Sequence, residues 1–186
     1  MPGLTGPTRL VENHLTLWLG KLKVEIMQLG RGHTKGDTVV WLPQERILFS
    51  GDLVEYGATP YTGDAYLTDW PATLDAIADL EPLKLVPGRG SSLMNPVQVK
   101  AGLEGTRSFV SEMFDAVKRS AAAGNDLRTV YKRTYATLKP HIGKWVIFEH
   151  CLPFYVTRAL DHETQSKQPV TRTAGRHPDD RDALEG

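Results

Sequence analysis

Two residues at the ends of the stretch "GRGHTKGDTVVWLPQERILFSGD" have side chains suited to chemistry: His33 near its start and Asp52 at its close. An imidazole and a carboxylate can share a metal ion or pass a proton, provided that the backbone holds them still. Between them lie "DTVVWL" and "RILFSG", β-branched or aromatic runs joined by "PQE", a pattern that predicts an antiparallel hairpin. If the two serve one metal centre, they should converge across the mouth of that hairpin, within about 4 to 6 Å of each other. Thr34 and Asp37 follow His33 and are expected to orient its imidazole or fix its loop. For Asp37 the commoner role is to accept backbone amides within a glycine turn. The glycines of "GRGHTKG" permit close backbone approaches that a side chain would prevent.

The elements that must carry these residues can be read from periodicity. Residues 13–29 alternate Leu15, Leu17 and Leu19 against Thr16 and Trp18 before turning at Gly20-Lys21, which predicts strands at 13–19 and 22–29. Further strands are expected at 37–42, 46–50 and 84–87. Residues 53–68 mix aromatics, glycine and proline and read as an ordered surface loop. Asp69 is expected to cap a helix over 70–80, with Pro71 in its first turn. Asn95-Pro96 starts a helix over 96–121, and a third covers 126–138, ending before Pro140. The apolar segment "KWVIFEHCLPFYVTRAL" should pack on these helices, with "EHC" read as part of an extended run. His150 and Cys151 would then point to opposite faces, so they are not expected to chelate one ion. His141, His162 and His177 lie in turn-like or tail sequence and are given no role.

Composition narrows the function classes. The chain has 186 residues, 40% of them apolar, and a formal net charge of zero, so it can bury a core and offers no basic run for nucleic acid. No apolar stretch approaches the roughly 20 residues needed to span a bilayer. No leader pattern is visible in "MPGLTGPTRLVENH", and a cytoplasmic location is expected. Cys151 is the sole cysteine, which excludes an internal disulfide.

Taken in order, "GHTKGD", "ILFSGDLV" and "LVPGRG" resemble the second half of the metallo-β-lactamase superfamily of hydrolases. The resemblance covers roughly residues 13–160. It implies an α/β fold, the second half of an αββα sandwich with a helical C-terminal part. Residues 1–12 would form a flexible lead and 162–186 a disordered tail. It also implies that His33 and Asp52 are metal ligands and zinc the cofactor; because Arg89 stands where the third motif has a histidine, one ion is expected rather than two. The substrate would be a small molecule hydrolysed by a zinc-activated water.

Two departures stand out. The family's His-x-His-x-Asp-His motif has no counterpart, so the sequence is expected to be a C-terminal piece that holds zinc weakly or not at all and self-associates through exposed apolar surface. Arg89 occupies the place of the histidine in Pro-Gly-His-Gly. A guanidinium is always protonated and cannot ligate a metal. Arg89 either contacts an anionic substrate or oxyanion, or pairs with a nearby carboxylate and caps its loop. Two further readings remain: a non-catalytic binding or scaffold protein of the same fold without its metal, and a fragment completed by a separate first half.

Overall fold

A computed structural model describes residue 6 and residues 10–164, and the parts of the expected lead and tail beyond these lie outside the described residues. Five strands form one sheet in the order of the chain: β1 His14–Leu19, β2 Leu22–Met27, β3 Val39–Leu42, β4 Ile47–Gly51 and β5 Lys84–Pro87. The first four pair antiparallel, and β4–β5 is parallel. A parallel pair needs a crossover, which residues 52–69 and helix α1, Trp70–Asp79, supply. The expected hairpin is present in register, with Val40 opposite Phe49 and Leu42 opposite Ile47. Helices α2 (Pro96–Ala122), α3 (Leu127–Ile142) and α4 (Phe148–Thr164) follow. The result is a mixed α/β fold with one sheet and four helices among the described residues.

The two faces of the sheet differ sharply. Val39, Trp41, Leu48 and Leu85 face the helices and join Trp70, Leu74, Phe109, Val117, Leu152 and Tyr155 in one buried cluster. Cross-strand partners share a face, so the register places Leu15, Leu17, Ile26, Val40, Leu42, Ile47, Phe49 and Val86 together on the other. All of these are partly or fully exposed; Phe49 reaches 41%. Contiguous apolar surface of this kind is uncommon on monomeric proteins. The purified chain is therefore expected to bind a hydrophobic dye under native conditions, and Leu17→Glu with Phe49→Lys to reduce that fluorescence severalfold. A cooperative monomer that leaves the dye dark would contradict this.

Four expectations need correction. Residues 53–68 are not a surface loop, because Leu53, Val54, Glu55, Ala58, Thr59, Thr62, Ala65 and Leu67 are buried. Asp69 stands at the N-cap of α1 without a capping bond, its backbone already in the helical region at φ −92° and ψ −28°. From that conformation its carboxylate turns away and accepts from Arg31 Nε at 2.8 Å. Asn95 and Asp126, with extended backbones, do cap α2 and α3 through the amides of Gln98 and Thr129.

The third and fourth corrections concern proline. α3 runs through Pro140, and residues 148–164 are helix α4, with Pro153 inside it, rather than an extended run. In each case the residue four back, Ala136 or Glu149, is exposed, which puts the lost hydrogen bond on a solvent-side position of the helix. Phe148, Cys151, Leu152, Tyr155, Val156 and Ala159 recur at helical spacing and are all buried. His150 is exposed while Cys151 is buried, so the pair still does not chelate. α4 also takes in residues 162–164, the first of the expected tail.

Candidate functional site

The loop carrying His33 is held from both sides. The Asp37 carboxylate accepts from the amide of Gly32 at 2.9 Å, the amide of Thr34 at 2.9 Å and the Thr34 hydroxyl at 2.7 Å. Asp37 thus takes the glycine-turn role, closing the loop, while its Oδ1 also lies 3.9 Å from His33 Nδ1. Opposite, Gly32 is pressed against the body of the fold: a Cβ there would meet Leu53 Cδ2 at 2.7 Å and Trp70 Cδ1 at 2.8 Å. The Trp70 ring lies edge-on to the His33 imidazole at 6.2 Å, and Tyr61 stands at the same distance. Trp70 Nε1 donates to the Leu53 carbonyl at 3.0 Å. One buried indole therefore supports the histidine and the chain beside Asp52 together.

Asp52 leaves the end of β4 and meets His33 across the mouth, with Nε2 to Oδ2 at 3.7 Å. Arg89 reaches the same mouth, its Nη1 lying 3.5 Å from Asp52 Oδ1. The same Nη1 donates to Glu55 Oε1 at 2.5 Å. Arg89 therefore pairs with carboxylates, as the second of the two sequence expectations had it, and does so at the mouth of the site.

Glu55 was not singled out from the sequence. Its side chain has no exposed surface, its Oε2 is buried without a hydrogen-bond partner, and Thr106 brackets its backbone amide and carbonyl. Burial pushes its pKa up from 4.5 to about 7, against the pull of Arg89. For Arg89 burial acts downward, but Glu55 and Asp52 outweigh it and hold the guanidinium above its ordinary value. The one signal available in sequence was a glutamate three residues past Asp52, separated from it by two apolar residues.

Backbone hydrogen bonds hold the two segments side by side. The amide of Tyr56 donates to the Arg89 carbonyl at 3.1 Å, and the amide of Gly88 to the Val54 carbonyl at 3.0 Å. A Cβ at Gly88 would meet Asp52 Oδ1 at 2.2 Å, and one at Gly90, where φ is +96°, would strike the Tyr56 carbonyl at 1.8 Å. The loop lies on the 54–56 segment because glycine stands on both sides of Arg89.

Residues 12–89 match the family model of the metallo-beta-lactamase superfamily. The chain is a metallo-β-lactamase-fold protein. It is 41% identical over 59 residues to a metallo-beta-lactamase type 2 of Pseudomonas aeruginosa, a stretch covering 32% of this chain and 24% of that protein. To the enzyme of the same name from Bacteroides fragilis it is 37% identical over 93 residues, covering 47% and 37%. The chain thus spans about a quarter to a third of the length of these curated relatives. Among solved structures, a metallo-beta-lactamase from Pontibacter korlensis superposes with a TM-score of 0.50 at 28% identity, covering 57% of this chain and 50% of that one. The superfamily match of this metallo-β-lactamase-fold chain takes in His33, Asp37, Asp52, Glu55 and Arg89, and stops before α2.

A catalytic zinc takes about three protein ligands and keeps a position for water. Among the described residues no group of three histidine, cysteine, aspartate or glutamate side chains is arranged to hold a metal ion. His33 and Asp52 make two donors, and the third group at the mouth is a guanidinium. The described residues of this metallo-β-lactamase-fold chain do not complete a zinc site.

Proposed function

We propose that this chain carries one side of a metal-dependent hydrolase centre acting on a small-molecule substrate through a metal-activated water. The observation that supports this reading best is the approach of His33 Nε2 to Asp52 Oδ2, 3.7 Å apart on a braced loop and a strand end. The first-motif histidine and second-motif aspartate converge as donors to one ion must. The donors needed to complete that centre come from outside the described residues. Within the chain, Asp37 closes the histidine loop, Trp70 backs the imidazole, and Arg89 supplies a fixed positive charge at the mouth.

A second reading has its own support. Arg89 is paired to Asp52 and Glu55, which suits a binding protein of the same fold that works without a metal.

Equilibrium dialysis against zinc separates the two. The full chain alone is expected to retain well under one equivalent. With a polypeptide bearing the His-x-His-x-Asp-His half, retention should rise to about one zinc per chain. His33→Ala should then weaken zinc by at least about 10- to 100-fold, a loss produced even by removing a ligand's outer partner. His150→Ala should leave it unchanged. Retention and hydrolysis that survive His33→Ala would refute the hydrolase reading.

A further inference from the structure

The position normally taken by a metal-binding histidine here holds an arginine, and the surroundings of that arginine are those of a cation site. Nη1 of Arg89 sits between two carboxylates, 2.5 Å from Glu55 Oε1 and 3.5 Å from Asp52 Oδ1. Glu55 has no exposed surface, and its second oxygen is buried without a hydrogen-bond partner. A buried carboxylate is costly unless a cation stands beside it. Glu55 and Arg89 come from segments held together by backbone hydrogen bonds, Tyr56 to Arg89 and Gly88 to Val54, so their backbones are fixed side by side.

We infer that the Arg89 guanidinium takes the place of a metal ion on the Glu55 side of Asp52, with Glu55 as the positioning residue that holds it there. The site keeps the anionic surroundings of a second metal and fills them with a side-chain cation. Occupancy by Arg89 excludes a divalent ion from this position, by charge and by volume. Any metal of the centre is then confined to the His33 side of Asp52, and the centre is mononuclear. This rests on the reading of His33 and Asp52 as one side of a metal centre, and it adds that the opposite side is permanently closed.

The inference predicts that removing the guanidinium opens the position. In the Arg89→His variant the introduced imidazole, Asp52 and Glu55 would offer three donors, the number a divalent ion requires. Cobalt(II) titration of the full chain, followed by visible absorption and equilibrium dialysis, reads this directly. The wild-type chain should show no tetrahedral cobalt bands of this site. Arg89→His should bind about one equivalent, at least tenfold more tightly than wild type. Adding Glu55→Gln should abolish that gain, whereas adding His33→Ala should leave it intact. The dependence on Glu55 keeps the result separate from the hydrolase reading, which stands or falls on His33.

Arg89→Lys, which retains a cation, should stay closed to cobalt. Far-ultraviolet circular dichroism and a thermal melt verify that each variant is folded. If Arg89→His cannot be folded, Arg89→Cys, whose thiolate is likewise a third donor beside Asp52 and Glu55, provides the test. The inference is overturned if wild type binds cobalt as tightly as Arg89→His in a Glu55-dependent manner. It is equally overturned if the folded Arg89→His or Arg89→Cys chain gains no affinity.

Discussion

Trp70→Ala is expected to lower the unfolding free energy by about 3–5 kcal/mol, the range for truncating a buried aromatic side chain. The indole is fully buried within the core cluster, and its loss also leaves the Leu53 carbonyl without the donor it has in the folded chain. Stability and site should fail together, because the same ring abuts His33 and touches the backbone beside Asp52. Urea denaturation measures the first effect. The second is read from the His33 imidazole resonances in NMR spectra, which should broaden or shift where the variant remains folded. A loss below about 1 kcal/mol, the ordinary result for a surface substitution, would show that Trp70 does not carry the junction between α1 and the site.

The other large effect is a pH dependence due to Glu55. Its carboxyl titrates at about 7 in the folded chain, against 4.5 as its ordinary value. The folded state thus holds its proton more tightly than the unfolded state does, so this contribution is fully present below about pH 4.5 and is lost as pH rises through about 7. A change of that size corresponds to about 3 kcal/mol. Urea melts of the full chain should show stability falling by roughly this amount between pH 4 and pH 8.5 through this group. Glu55→Gln, which cannot ionise, should flatten that part of the profile. Cys151 and Tyr155 do not interfere, since burial pushes both of their pKa values up and they remain neutral over this range. Parallel profiles for wild type and Glu55→Gln would show that Glu55 does not titrate in this interval.

Much of the sheet was legible because its signals are local. The β3–β4 hairpin follows from two β-branched runs around one turn, and β5 matches its expected span of 84–87. His33 and Asp52 could be placed together because their motifs, taken in order, resemble those that supply ligands to one metal centre in the superfamily; the hairpin itself begins only at Val39. What failed depends on distant partners. Residues 53–68 carry threonines and alanines without a clear period, and their burial comes from helices that arrive later in the chain. Pro153 reads as a breaker in sequence, and the burial of Phe148, Leu152, Tyr155 and Val156 against the rest of the fold overrides that local signal. Glu55 could not be linked to Arg89, since 34 residues separate them and the link runs through backbone hydrogen bonds between two loops. The resemblance to the superfamily marked position 89 as a departure, but the carboxylate that makes sense of it had to be found in three dimensions.

The loop from Gly88 to Gly90 has an implication for heredity. Neither glycine can accept a Cβ without colliding with Asp52 or Tyr56, and the backbone of residue 89 is itself hydrogen bonded. Only the side chain at 89 is left for mutation to vary. Codons CGU and CGC for arginine become the histidine codons CAU and CAC by one transition at the second base. A lineage that writes residue 89 with either of these codons lies one nucleotide from exchanging its built-in cation for a metal ligand, with the surrounding scaffold already in place for both.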